Sequence, residues 1–216
     1  MNLDIRNAWA ELFLTTLEHP ENLPAFNKVY EYLGHLLESP GHQPQEIPFS
    51  GFETIPLTSE DIDYLWKNSQ SGMNVLHQLK TISFPRVLTS AEDMVWKATL
   101  LFNEGLFFET HEVLEKLWLE ETGVPRRFYQ GFIQIAVGFY HLKQKNILGA
   151  ITLLDAGNMK LKEYPSVYFH ICIKDFISRI EQCLGVLHTA EDETGFHSEQ
   201  IALPHIEFRL QDTIYE

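Results

Sequence analysis

The sequence predicts an all-α fold, a bundle of antiparallel helical hairpins with an N-terminal helical extension. Three observations lead there. Apolar residues recur with a period near 3.6 through the segments between Ser90 and Leu187. Glycine or proline stands at the end of most of those segments, so the helices have natural stops and short connections, which favour antiparallel neighbours. No set of segments shows the period-two alternation from which a sheet could be built.

The elements follow in order. A first helix is expected from about Asp4 to His19, ended by Pro20; a second starts at a cap on Asn22, has Pro24 in its first turn and continues towards Glu38. Pro40, Gly41, Pro44, Pro48 and Pro56 break regular structure, because each proline lacks a backbone donor and keeps its neighbour out of the helical region; residues 40–57 are read as a linker. Thr58-Ser59-Glu60-Asp61 opens a helix with Ile62, Leu65 and Trp66 on its apolar side, and a separate short helix is expected over Met73–Lys80. The next helix starts at Ser90, with Glu92 and Asp93 at the positive end of its dipole, and stops at Gly105. Helices are then expected over Phe107–Glu121, Pro125–Lys145, Ile147–Tyr164 and Val167–Leu187. The chain turns acidic after Thr189 and extended around Ile206–Leu210. The expected organisation is a helical extension over residues 1–85, a bundle domain over 86–189 and a tail over 190–216.

Composition narrows the function. The 216 residues carry 30 acidic and 16 basic side chains, a formal charge of −14. A nucleic-acid backbone or an anionic membrane surface would call for clustered Lys and Arg, so neither is expected as a partner. Met1-Asn2-Leu3-Asp4-Ile5 shows no secretory pattern, and the nearly apolar stretch Gly131–Tyr140 is too short to span a bilayer. Cys172 and Cys183 fall eleven residues apart in one expected helix, about 16 Å along its axis, which forbids a disulfide between them. They are read as reduced thiols of a cytoplasmic protein.

The segment Leu101-Phe102-Asn103-Glu104-Gly105-Leu106-Phe107-Phe108 continues as Glu109-Thr110-His111-Glu112-Val113-Leu114-Glu115-Lys116-Leu117-Trp118. It contains a Phe-Asn-x-Gly turn, an aromatic pair, and then His-Glu-x-x-Glu-x-x-Trp. Gln130-Gly131-Phe132-Ile133-Gln134, His141, Asn146 and Gly149-Ala150 follow. Together these residues resemble the signature of domain-of-unknown-function family 309, over about residues 90–164. The resemblance implies a compact helical domain and supplies no reaction or cofactor.

The residues can also be read without it. At about 100° per residue, Phe107, His111, Leu114 and Trp118 share one helix face, with Glu115 at its edge and Glu112 further round; Glu109, Lys116 and Glu120 are expected in solvent. The following helix is apolar over most of its circumference except for a stripe of Arg127, Gln130, Gln134 and His141, with Gly131 and Gly138. Each glycine costs about 1 kcal/mol relative to alanine in a helix interior, so the stripe is expected to face a closely packed helix. If that neighbour is the His111 helix, then Glu115, His111, Gln134 and His141 converge on an internal polar cluster bordered by Glu112, Trp118 and Gln130.

Such a cluster would orient the helices or hold a small ligand. Alternatively, His111, Glu115 and His141 would bind a divalent metal such as zinc, iron or manganese and serve a metal-dependent enzyme. The spacing departs from helical metal motifs, because His-Glu-x-x-Glu lacks the second histidine of a zincin. Hairpins with Gly105 and Phe108 also have the style of tetratricopeptide repeats, but the corresponding Gly149 comes about 44 residues later, where that repeat needs 34. No nucleophile–base triad, phosphate-binding glycine loop or dinucleotide fingerprint is visible. The functional expectation is a binding or interaction module for a protein or small molecule, with a metal-dependent enzyme as the alternative.

Overall fold

The structure, a computed structural model, describes residues 2–38, 57–82, 88–190 and 201–209; the expected linker, apart from Leu57, lies outside them. Its fold is all-α, and the chain divides into two compact units, Met1–Thr81 and Ile82–Glu216. Among the described residues no helix is long and apolar enough to cross a membrane.

In the first unit, α1 (Leu3–Glu18), a 3-10 turn (Pro20–Asn22), α2 (Leu23–Glu38) and α3 (Ser59–Thr81) pack pairwise. Their core holds Trp9, Phe13 and Phe26, with ring centroids 5.0 Å apart for Trp9–Phe13 and 5.3 Å for Phe13–Phe26. The Trp9 indole N–H donates to the buried Ser69 hydroxyl at 2.9 Å, so its polar edge is satisfied inside the core. The two helices expected over Thr58–Lys80 are one continuous helix. Gly72 does not break it: a Cβ there would meet Phe13 at 2.9 Å and Phe26 at 3.1 Å, so the glycine admits the aromatic rings.

The second unit contains α4 (Ser90–Asn103), α5 (Phe107–Glu120), α6 (Pro125–Lys143), α7 (Ile147–Leu161), β1 (Val167–Tyr168), β2 (Ile171–Cys172) and α8 (Ile173–Ala190). Thr89 caps α4 in a capping box with Glu92. The helix ends at Gly105, whose φ of 72° lets its N–H reach the Phe102 carbonyl while the Leu106 N–H reaches that of Leu101. From α4 to α8 each helix packs on the next, and α6 with α7 form the most extensively packed pair. Phe102 lies at the centre of the core, with the rings of Phe107, Phe132, Phe139 and Phe176 all 5.1–5.8 Å away.

The helix expected over Val167–Leu187 begins only at Ile173. Before it, β1 and β2 form an antiparallel hairpin, Val167 opposite Cys172 and Tyr168 opposite Ile171. Phe169 and His170 make its two-residue turn with φ of 46° and 63°, the double left-handed geometry of the tightest hairpins. An aromatic cluster holds it: Phe128 lies 5.0 Å from Tyr168 and 5.6 Å from Phe169, ring to ring. Cys172 therefore sits on β2 and only Cys183 on α8; both are buried and free, and burial pushes both thiols up.

Asp61, 3% exposed, gives a quantitative test of the first unit. It accepts from the Asn2 N–H at 2.9 Å, the Thr58 N–H at 3.1 Å and the Thr58 hydroxyl at 2.6 Å, tying the start of α3 to that of α1. Burial works against its charge, but the bonds from Thr58 and Asn2 outweigh it and hold the carboxyl below its usual range. Asp61→Asn is expected to cost about 1–2 kcal/mol at neutral pH. Because the folded pKa is depressed, that difference is full above the ordinary carboxylate range and is lost as pH falls through the folded value. Thermal unfolding of both proteins from pH 7 to pH 2 checks this; a gap that widens in acid would contradict it.

Candidate functional site

The glycines of the α6 stripe face α7, not the His111 helix. A Cβ on Gly131 would meet Lys160 Cβ at 3.0 Å, and one on Gly138 would meet Leu154 Cγ at 2.8 Å. From the other side, a Cβ on Gly157 would lie 2.6 Å from the Gly131 carbonyl oxygen. The glycines thus serve close helix approach, as their spacing implied, but against the following helix. Gln134 goes with them, its amide oxygen accepting from Lys160 Nζ at 2.8 Å. His141 ends the seam as a positioning group for the next turn. Asn146 accepts the Gly149 N–H at 3.0 Å as the cap of α7 and turns its amide nitrogen to His141 Nδ1, 2.9 Å away. An amide nitrogen can only donate, so Nδ1 accepts and the ring proton of neutral His141 sits on Nε2.

On α5 the buried arc is Phe107, Glu109, Thr110, Val113 and Leu114, because α4 and α6 both pack on the helix. That arc is rotated from the expected face and corrects one assignment outright: Glu109, expected in solvent, is 2% exposed. Lys116 and Glu120 are exposed as expected. His111 and Trp118 fall at the margin of the arc, half-buried. His111 and the two carboxylates near it do come together. Nδ1 lies 3.2 Å from Glu112 Oε1 and Nε2 lies 3.7 Å from Glu115 Oε2. The side chains are 23%, 36% and 43% exposed, so this trio belongs to the surface of α5 and not to an internal pocket. Each ring nitrogen faces a different carboxylate, the arrangement of a histidine bracketed within one helix.

Trp118 and Gln130 contribute instead to a groove of about 640 Å³, lined also by Arg126, Arg127, Tyr164 and Tyr168. Arg126 positions the wall: its Nη1 donates to the carbonyls of Trp118 and Glu121, the latter at 2.7 Å, satisfying the open end of α5, while its guanidinium lies 4.1 Å from the Trp118 ring centroid. Arg127 forms a bidentate pair with Glu163 at 2.5 and 2.6 Å, exposed to solvent on both sides. The Tyr164 hydroxyl donates to the Val124 carbonyl at 2.7 Å. Burial raises the pKa of Tyr164 and Tyr168, and pushes that of the neighbouring Tyr129 up to about 12, so these phenols stay neutral. The groove therefore offers flat aromatic surfaces, two guanidinium groups and an amide.

Sequence reasoning passed over Asn103 as a site residue, although it lies in the Phe-Asn-x-Gly turn. Its amide makes two bonds to one backbone residue 103 positions later: Nδ2 donates to the Ile206 carbonyl at 3.0 Å, and Oδ1 accepts the Ile206 N–H at 2.8 Å. The available signal was an amide closing the apolar run Leu100-Leu101-Phe102 at the end of α4. Its partner has no local pattern to announce it.

Residues 95–153 match the family model described as Domain of unknown function (DUF309). Over 49 residues the chain is 45% identical to an uncharacterised protein, YpuF, of Bacillus subtilis, which covers 22% of this chain and 28% of that one. Over 125 residues it is 22% identical to an uncharacterised protein of Aquifex aeolicus, covering 55% and 38% respectively. The aligned parts thus span well under half the length of either relative.

The glycine seam is directly testable. Gly157→Ala would push a methyl group into the Gly131 carbonyl and the Ile135 side chain, the latter at 2.7 Å, and is expected to destabilise the second unit by about 3 kcal/mol. Gly185→Ala meets nothing within 4 Å in α8 and should be neutral or stabilise by up to about 1 kcal/mol. Equal effects of the two changes in chemical denaturation would remove the seam from the account.

Proposed function

We propose that the second unit is a binding module whose ligand lies in the groove beside Trp118. The observation that carries this reading is the Arg126 guanidinium set over the Trp118 ring in an open groove that also holds Arg127, Gln130, Tyr164 and Tyr168. Aromatic faces recognise a flat apolar group, and guanidinium groups recognise an anion. Arg126 and Arg127 stand here beside Glu163 and Glu121, so the groove is near charge balance in a chain of formal charge −14, and its guanidinium groups favour a small ligand with an anionic substituent. Anilinonaphthalene sulfonate has that chemistry. It is expected to bind the native chain saturably at one site, with energy transfer from tryptophan that falls in Trp118→Phe. Arg127→Gln should weaken it about tenfold with little change in stability, since the Arg127–Glu163 pair is solvent-exposed. Binding that never saturates, or that ignores both changes, rejects the groove.

A metal-dependent activity is the second reading. One observation favours it: donor atoms of His111, Glu112 and Glu115 lie within 4.8 Å of one another. His141, bonded to Asn146, is replaced by Glu112 in this version. Titration with zinc or manganese should then show one-site binding that His111→Ala abolishes while the helical spectrum is kept. Absence of a saturable signal in the wild type would end it.

A further inference from the structure

Residues 201–209 lie across the second unit as an extended segment, and the way they are held is that of a recognised peptide. Asn103 satisfies both backbone groups of Ile206, as an opposing strand residue would. Beyond it the segment joins the edge of the hairpin: the Cys172 N–H donates to the Glu207 carbonyl at 3.1 Å, the Arg209 N–H donates to the His170 carbonyl at 2.6 Å, and Phe208 bridges Ile171 in antiparallel register. Side chains alternate as they do on a strand. Ile206 is 1% exposed between the exposed His205 and the half-buried Glu207, and two positions on, Phe208 lays its ring 4.6 Å from Trp96 and 5.4 Å from His170. Backbone bonds give such a segment its hold, and pockets for alternate side chains give selectivity.

Two of the holders belong to the region shared with the family. Trp96 and Asn103 lie inside the region that matches the family model, residues 95–153, whereas the segment lies some fifty residues beyond its end. Asn103 and the ring of Trp96 thus come from the shared region, while the edge at His170, Ile171 and Cys172 lies outside it, as does the segment that fills the site. We propose that this is an extended-peptide site occupied in cis, and that it takes a segment of a partner protein with an aliphatic residue and an aromatic residue two positions apart when residues 201–209 leave. The tail is then a competitor that sets the partner's apparent affinity, because the competent state is populated only while the site is open. This site is distinct from the groove beside Trp118 and does not depend on its ligand.

The probe is a fluorescent synthetic peptide of residues 201–209, used with the full chain. In the variant Ile206→Asp/Phe208→Asp the chain is complete but its own tail cannot seat. The peptide should bind this variant saturably, one to one, and at least tenfold more tightly than it binds wild type. Adding Asn103→Ala should remove at least tenfold of that affinity. A peptide N-methylated on the Ile206 amide should lose as much, because it cannot donate to Asn103. A folded double variant that leaves the peptide unbound overturns the proposal, as does equal binding by wild type. A second measurement covers the case in which the double variant does not fold. With a protease site placed within residues 191–200 and no other change, the chain is cut while native, and the severed tail should exchange for labelled peptide with the helical spectrum unchanged. Loss of helix on cutting, or a tail that never exchanges, shows residues 201–209 to be an integral part of the core and rejects the site.

Discussion

Backbone contact between α6 and α7 constrains most of the second unit. At Gly131, Gly138 and Gly157 the two helices approach so closely that no Cβ fits without a shift. Interiors pack at crystal density, so a seam of this kind allows little sliding or rotation. With α6 fixed on one side, its remaining circumference presents Phe132 and Phe139 to Phe102, and α5 must enter between α4 and α6. Burial on two sides widens the hidden arc of α5 far enough to take in Glu109 and leaves His111 at the margin. A feature of α6 and α7 thereby decides which polar residues of α5 meet solvent.

That dependence explains how much of the architecture could be read in advance. Helix existence and type follow from period and stops, both local, and α4 through α7 start and end within a few residues of expectation. Gly105 shows why: its φ of 72° and the two bonds that close the turn are properties of a few consecutive residues. The failures are non-local. Gly72 reads as a break but sits under Phe13 and Phe26, which come from two other helices. Phe169 fits the apolar helical spacing of the segment, yet it and His170 form a hairpin turn, with the Phe169 ring packed on Phe128. Tertiary packing outweighed propensity in both places.

The candidate site was legible in parts. Its residues are engaged, but in three separate places: His111, Glu112 and Glu115 on one helix, Gln134 and His141 along the α6–α7 seam and its turn, and Trp118 with Gln130 in the groove. The inference that two helical glycines imply a close neighbour was physically sound; which helix supplied it was a question of topology, beyond the reach of spacing. Asn103 shows the complementary limit. An amide that reads backbone atoms leaves no mark on its partner's side chains, so Ile206 cannot be found from its own sequence.

The β1–β2 hairpin joins the two surfaces proposed to bind ligands. Tyr168 on β1 lines the groove beside Trp118, while β2 and the turn residue His170 receive residues 207–209. Only Phe169 and His170 separate Tyr168 from Ile171; both adopt left-handed geometry, with the Phe169 ring packed on Phe128 and the His170 ring beside Phe208. His170 also bonds Glu92 at 2.9 Å, and Glu92 closes the capping box of α4, the helix that carries Trp96 and Asn103. The hairpin is thus anchored at one end to the groove and at the other to the helix that holds the tail. Two binding events that touch one rigid element must influence each other equally in both directions if either shifts its position. A ligand that tightened Tyr168 in the groove would stabilise the β2 edge on which residues 207–209 pair, and departure of the tail would withdraw the edge bonds two residues from that tyrosine. Tyr168 lies on β1 and the tail pairs with β2, so the turn at Phe169 and His170 is the element through which the two surfaces would be coupled.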